Sequence, residues 1–144
     1  MFCTAAESSA RRLEGNKIYI LQKMGKIKKI MIADDDPAIL DSVGILLEFE
    51  GYDVTRTLNG QAVLGIENDL PDLLLLDIWM SGMDGRDICK TLRQNERTKA
   101  LPIVMISASK DIGRSALEAG ADDFLAKPFD MNDLLGKIEK NTLK

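Results

Sequence analysis

The sequence predicts an α/β domain, a parallel sheet with helices over both faces, and three observations lead to it. From Lys28 onward short apolar runs alternate with stretches of helical period, a pattern that returns each strand parallel to the last through an intervening helix. One run, Leu73-Leu74-Leu75-Leu76, is apolar without a break, as in a strand covered on both sides. Cap and turn residues, among them Asp36-Pro37, Gly51, Pro71 and Gly120, fall between the runs, where the chain must stop one element and start the next.

Taken in order, Lys29-Ile30-Met31-Ile32-Ala33 reads as the first strand. Asp36-Pro37 opens the first helix with an acidic N-cap and a proline in the first turn. That helix carries Ile39, Leu40, Val43, Leu46, Leu47 and Phe49, and Gly51 suits its C-terminal cap. Tyr52 to Thr57 is the second strand, and Gly60 to Asn68 a short helix stopped before Pro71. The leucine run ends at Asp77 as the third strand, and Asp84 to Gln94 forms the third helix. Pro102 leads into the fourth strand, Ile103-Val104-Met105-Ile106, and Asp111 to Ala119 forms the fourth helix, capped by Gly120. Asp123-Phe124-Leu125-Ala126 is the fifth strand, and Asp130 to Lys140 the last helix. Right-handed crossovers reduce the arrangements of such a (βα)5 chain to a doubly wound, flavodoxin-like sheet of strand order 2-1-3-4-5.

Residues 1–25 do not share this pattern. Ala, Ser, Arg, Glu and Gly predominate, and Ile18-Tyr19-Ile20-Leu21 is their apolar run. They are expected to be a disordered leader or an over-extended start, with Met24 as the alternative first residue; an extra docking helix is the rival expectation. Residues 26–144 are expected to form the domain, with no output domain beyond the last helix.

Composition limits the chemistry. A net charge of −4 suits direct contact with a nucleic-acid backbone poorly, because that contact needs clustered Lys and Arg. No apolar run reaches the length of a membrane span, and the N-terminus lacks a signal-peptide core, so the expected compartment is the cytoplasm. The two cysteines, Cys3 and Cys89, make neither a disulfide framework nor a zinc site. The chain has no histidine, which removes Ser-His-Asp catalysis, Cys-His catalysis and histidine-bound metals together. What remains is carboxylates, hydroxyls, lysine and a hard metal ion.

In a sheet of this order the functional crevice lies at the carboxyl ends of the strands, where the strand order reverses. Strand one ends at Asp34-Asp35-Asp36, strand three at Asp77, strand four at Ser107 and strand five at Lys127-Pro128. Any one of these could be an exposed loop residue or a helix cap, as Asp36 is expected to be; together they converge. Gathered carboxylates raise each other's pKa values. Mg²⁺ would relieve that repulsion, because it takes oxygen ligands and keeps some of its waters. With Lys127 it would make an electrostatic clamp for in-line transfer of a phosphoryl group to a carboxylate oxygen.

The stretch around IMIADDDPAIL, the segment LLLLDIWMSGMDG at 73–85, VMISAS at 104–109 and GADDFLAKPF at 120–129 resemble, in that order, the four motif segments of response-regulator receiver domains. The resemblance covers residues 28–144. It implies that Asp77 is the phosphoacceptor, taking its phosphoryl group from a phosphohistidine on a sensor histidine kinase or histidine phosphotransfer protein. It further implies that Asp35, Asp77 and the backbone carbonyl of Trp79 bind Mg²⁺ directly, with Asp34 acting through metal-bound water. Ser107 would bond a phosphoryl oxygen and Lys127 would pair with the phosphoryl group. The bond between Lys127 and Pro128 would be cis, aiming the lysine inward. Phe124 matches the aromatic switch position: Ser107 would move toward the new anion and Phe124 would swing into the vacated space, remodelling the face of helix four, strand five and helix five for a downstream protein. The reading is thus a switch with at most self-phosphorylation and self-dephosphorylation, of open oligomeric state. Two departures stand out. Ser81 occupies a position where the family commonly has proline, which would loosen the loop after Asp77. Trp79 is large and Ser109 small, at positions bordering the family's hydrolytic water path, so Trp79 is expected to shield the acyl phosphate.

Three other functions compete. A haloacid-dehalogenase-like phosphatase would use Asp34 and Asp36 as its Asp-x-Asp pair, but it needs a further acidic pair at a strand end after the lysine, where Asp130 and Asp133 instead open a helix. A phosphorylation-independent, receiver-like binding module would not need the complete set of Asp34, Asp35, Asp77, Ser107 and Lys127. A flavodoxin-like electron carrier would need a hydroxyl- and glycine-rich phosphate loop after strand one, where three aspartates stand.

Overall fold

The computed structural model describes residues 27–143 except 67, 81, 110 and 112. The expectations for residues 1–25 and for Ser81 lie outside the described residues. Five parallel strands, β1 (Lys29–Ala33), β2 (Asp53–Thr57), β3 (Leu73–Asp77), β4 (Ile103–Ser107) and β5 (Asp123–Ala126), alternate with five helices, α1 (Pro37–Phe49), α2 (Gly60–Leu64), α3 (Gly85–Gln94), α4 (Gly113–Glu118) and α5 (Met131–Thr142). Their order in the sheet is β2-β1-β3-β4-β5, the order expected from the sequence.

The period-2 alternation of strand side chains explains the two-layer core. Leu74 and Leu76 of β3 face one layer, with Met31, Met105, and Val63, Ile88 and Ala116 from α2, α3 and α4. Leu73 and Leu75 face the other, with Ile30, Ile32, Val104, and Leu40, Leu47 and Leu134 from α1 and α5. All five residues of β3 are buried, so the unbroken leucine run is a strand with no face left for water. Each fully buried leucine contributes roughly 1.5–3 kcal/mol of transfer free energy.

Local chemistry sets the element ends. The Asp36 side chain accepts from the Ala38 amide at the start of α1, and Gly51, at φ 102°, takes the left-handed turn that follows the helix, a conformation costly to other residues. Asp84 and Asp130 cap α3 and α5 in the same way. The second helix is shorter than its sequence pattern suggests. It ends at Leu64, where the Gly65 amide donates to Gln61 and the Ile66 amide turns back to Val63 at 3.3 Å; Gly65, the weakest helix former after proline, stops a helix too short to propagate on its own. A small antiparallel ladder, Trp79–Met80 against Met83–Asp84, was not expected; its arms of two residues are too short to leave a periodic signal. No helix among the described residues is long and apolar enough to cross a membrane.

Candidate functional site

The order of strands reverses between β1 and β3, and the acidic residues lie at the carboxyl ends of these two. Asp34 follows β1 directly. Its amide donates to the Thr57 carbonyl (3.1 Å), which holds the loop against the end of β2, and its Oδ1 accepts from the Asp36 amide (2.9 Å). Asp34 is only 3% exposed and Asp77, the last residue of β3, 9%, whereas Asp35 is exposed. Carboxylate oxygens of Asp34, Asp35 and Asp77 all lie within 4.8 Å of one another.

Lys127 enters this group from the far side. Its amide donates to the Ser107 carbonyl (2.7 Å), fixing its backbone to the end of β4, and the Lys127–Pro128 bond is cis, as the resemblance implies. The ammonium lies 3.0 Å from Asp34 Oδ2 and 3.7 Å from Asp77 Oδ1, so its nearest partner is Asp34, which the sequence did not indicate. Ser107, buried at the end of β4, accepts a hydrogen bond on Oγ from the Ser109 amide (3.1 Å). The strand ends therefore converge as expected.

Three carboxylates facing one ammonium leave an excess of negative charge. Burial, then the charge of Asp34 and more weakly that of Asp35, push the Asp77 carboxyl up to about 6, against the pull of Lys127 and the Ile78 amide. Burial works against the charge of Lys127, but its hydrogen bond to Asp34 and its attraction to Asp77 and Asp34 prevail, so its pKa rises above the ordinary lysine value.

The other singled-out residues occupy the rim. Trp79 opens the small ladder with its side chain 59% exposed. Phe124 is half-buried on β5; the register pairs Met105 with Phe124 and Ser107 with Ala126, which puts Phe124 and Ser107 on one face of the sheet. A ring carbon of Phe124 lies 3.2 Å from where a Cβ on Gly113 would stand, so the ring rests on the first turn of α4. Asp130 caps α5, accepting from the Asp133 amide (2.8 Å), and Asp133 lies in the first turn of that helix, not at a strand end as the phosphatase alternative requires.

Sequence reading missed two supports. Any side chain at position 85 would collide with the Asp77 carbonyl oxygen, so Gly85 lets α3 start directly behind Asp77. Arg86 holds Asp84 and reaches Ser115 Oγ (3.1 Å), joining α3 to α4. The Asp84-Gly85 pair signals only a cap and a turn; what it packs against is a tertiary matter. At the opposite end of β5, Asp123 accepts from Lys137 Nζ (2.9 Å) and Asn141 Nδ2 (3.2 Å), with Lys140 Nζ at 3.5 Å. Burial opposes the charged form of Asp123, yet these hydrogen bonds and one from the Phe124 amide hold its carboxyl below the ordinary value.

A doubly wound sheet whose carboxyl edge gathers three acids around a lysine, with a buried hydroxyl one strand away, defines a phosphoacceptor switch rather than a classical enzyme. The family model described as response regulator receiver domain matches residues 30–139, and the chain belongs to that family, the signalling switches of two-component systems. It is 41% identical over 113 residues to the DNA-binding dual master transcriptional regulator RpaA of Synechocystis, covering 76% of this chain and 47% of the regulator. It is 37% identical over 114 residues to the DNA-binding response regulator MtrA of Mycolicibacterium smegmatis, covering 77% and 49%. The chain thus spans about half the length of these relatives. Among solved structures, a response regulator of Chloroflexus aurantiacus superposes with a TM-score of 0.78 at 34% identity, covering 83% of this chain and all of that one. The receiver domain of the sensor histidine kinase PA1611 of Pseudomonas aeruginosa, solved with magnesium coordinated in its active-site cleft, superposes with a TM-score of 0.75 at 27% identity, covering 82% and 99%.

Proposed function

We propose that Asp77 is the phosphoacceptor of this switch and that the phosphoryl group comes from a phosphohistidine on a sensor histidine kinase or histidine phosphotransfer protein. The observation that carries the reading is the meeting of three carboxylates within 4.8 Å with Lys127 set against two of them. An oxygen of Asp77 forms the new bond to phosphorus as the phosphorus–nitrogen bond of the donor breaks, and the electron pair leaves with the imidazole. The donor set is all oxygen, which fits Mg²⁺. Asp35, Asp77 and the Trp79 carbonyl would hold it directly and Asp34 through water. When bound, it supplies the positive charge that lets an anionic phosphoryl group approach the acids. Lys127 leaves its ion pair with Asp34 to meet the phosphoryl oxygens, and the Ser107 hydroxyl donates to one of them.

In this reading Ser107 draws toward the phosphoryl group and Phe124, on the same sheet face, follows it inward. The face of α4, β5 and α5 then presents a different surface to a downstream protein. Phe124 has no hydroxyl, so its inward position gains no hydrogen bond. Trp79 shields the acyl phosphate from water and slows self-dephosphorylation. The domain works in the cytoplasm and contacts no nucleic acid directly.

Incubation with Mg²⁺ and acetyl phosphate followed by intact mass measurement tests the central step. The wild-type chain should gain one phosphoryl mass and Asp77→Asn none. Labelling of Asp77→Asn to the wild-type level would move the acceptor elsewhere.

A further inference from the structure

The face of β2 that packs toward α1 carries Val54 in the apolar layer and, two residues on, Arg56. Strand alternation puts both side chains on that face. An apolar residue at position 56 would serve the packing alone, yet Arg56 makes three hydrogen bonds to α1. Its Nη1 and Nη2 donate to the Glu48 carboxylate (3.3 and 3.0 Å), and its Nε donates to the Leu40 carbonyl (3.2 Å). The side chain is only 27% exposed. Gly44, buried one turn after Leu40, makes the room, because a Cβ there would fall on the guanidinium. The paired bonds to Glu48 fix the plane of the fork, so the bond to Leu40 is directed.

These bonds act beside the acidic loop. The Leu40 amide donates to the Asp36 carbonyl (3.1 Å) and closes the first turn of α1. Thr57, which follows Arg56 in β2, accepts at its carbonyl from the Asp34 amide (3.1 Å). Two adjacent residues of one strand therefore grip both ends of Asp34–Asp36. Thr57 holds Asp34, and Arg56 holds Asp36 through Leu40. The backbone of Asp35 is set from both sides, and its carboxylate lies within 4.8 Å of those of Asp34 and Asp77.

We propose that Arg56 is a positioning residue for Mg²⁺. By seating the start of α1 against the end of β2, it keeps Asp34 and Asp35 at the spacing the ion needs. It acts through the Leu40 carbonyl, since Glu48 already meets its charge. This role rests on the magnesium site proposed above. A staple with no bearing on that site would lower stability when broken and leave the ion's affinity as it was, so both quantities are measured together.

The full chain is unfolded thermally in EDTA and at a series of Mg²⁺ concentrations. The rise in midpoint yields the dissociation constant, because only the folded state holds the gathered acids. Two variants break the Leu40 contact by different routes. Arg56→Met keeps an apolar stem and loses the fork. Gly44→Ala keeps every charge, favours the helix and pushes the guanidinium from its seat. Each should weaken Mg²⁺ about 3–10-fold, short of the ~10–100-fold typical of residues bonded directly to a metal ligand, whatever its midpoint in EDTA. Should Arg56→Met not fold, Gly44→Ala decides. Asp35→Asn is the reference for the site itself. Wild-type affinity in either variant, with Asp35→Asn weak, overturns the role of Arg56 alone. No rise in the wild type, or a rise that Asp35→Asn leaves intact, overturns the magnesium site and the role of Arg56 with it.

Discussion

The two ends of β5 hold their charges in opposite ways. At its start, one carboxylate, Asp123, meets Lys137, Lys140 and Asn141 and stays ionised more readily than a free aspartate. Just past its end, Lys127 faces Asp34 and Asp77, with Asp35 beside them, and Asp77 ionises less readily than a free aspartate. Both clusters are partly buried and both use short hydrogen bonds. They differ in whether positive or negative charge is in surplus. The first is satisfied by the protein alone. The second is left with negative charge for something else to neutralise, which is how a candidate cation site differs from a structural ion pair.

Removing one acid from each cluster should therefore have opposite effects. In EDTA near pH 7.5, Asp77→Asn is expected to stabilise the chain by ~2–3 kcal/mol, since a pKa near 6 against an ordinary 3.8 corresponds to about that cost of ionisation. Denaturant unfolding measures it, and a loss of stability would mean that Asp77 is not under repulsion. The pH dependence carries the same information. Folded Asp77 keeps its proton up to about pH 6 while the unfolded chain releases it near 4, so the folded state binds more protons in that window and the wild type should lose stability as pH rises through it. Asp77→Asn should flatten that part of the profile.

Asp123→Asn should destabilise by ~1–2 kcal/mol, because Lys137 and Asn141 lose a charged acceptor in a partly screened setting. The contribution of Asp123 is present above the unfolded pKa and lost as pH falls through the lower folded value, so the variant should differ least from wild type in strong acid. Equal effects of the two substitutions would erase the contrast between the clusters.

Mg²⁺ sharpens it further. At ten times its dissociation constant the ion should stabilise the wild type by ~1.4 kcal/mol, a gain that EDTA reverses, that Asp123→Asn keeps and that Asp35→Asn largely loses. Thermal scans with and without the ion measure this. The smallest effect is expected at the rim: Trp79→Asn should speed loss of the phosphoryl group a few-fold, on the order of 1 kcal/mol in barrier. An unchanged decay of labelled protein would show that the indole does not shield the site.

Much of the fold was legible in the residues themselves. Alternation of short apolar runs with helical periods determined five strands and five helices, and the unbroken leucines marked the central strand, because burial on both faces excludes polar residues. Asp36, Asp84 and Asp130 announced helix starts, because a side-chain oxygen before a helix accepts otherwise unpaired amides. That Asp34, Asp35, Asp77 and Lys127 would meet was legible for a related reason: in a parallel sheet of known order, the polar residue that ends a strand has one place to go. The early end of α2 and the small ladder after Asp77 escaped because segments of a few residues carry no period. Only the tertiary structure decided which acid Lys127 pairs with, what Gly85 makes room for, and how far the ionisation of Asp77 is suppressed. Those depend on distances and burial between residues far apart in the chain, and no spacing along the sequence encodes them.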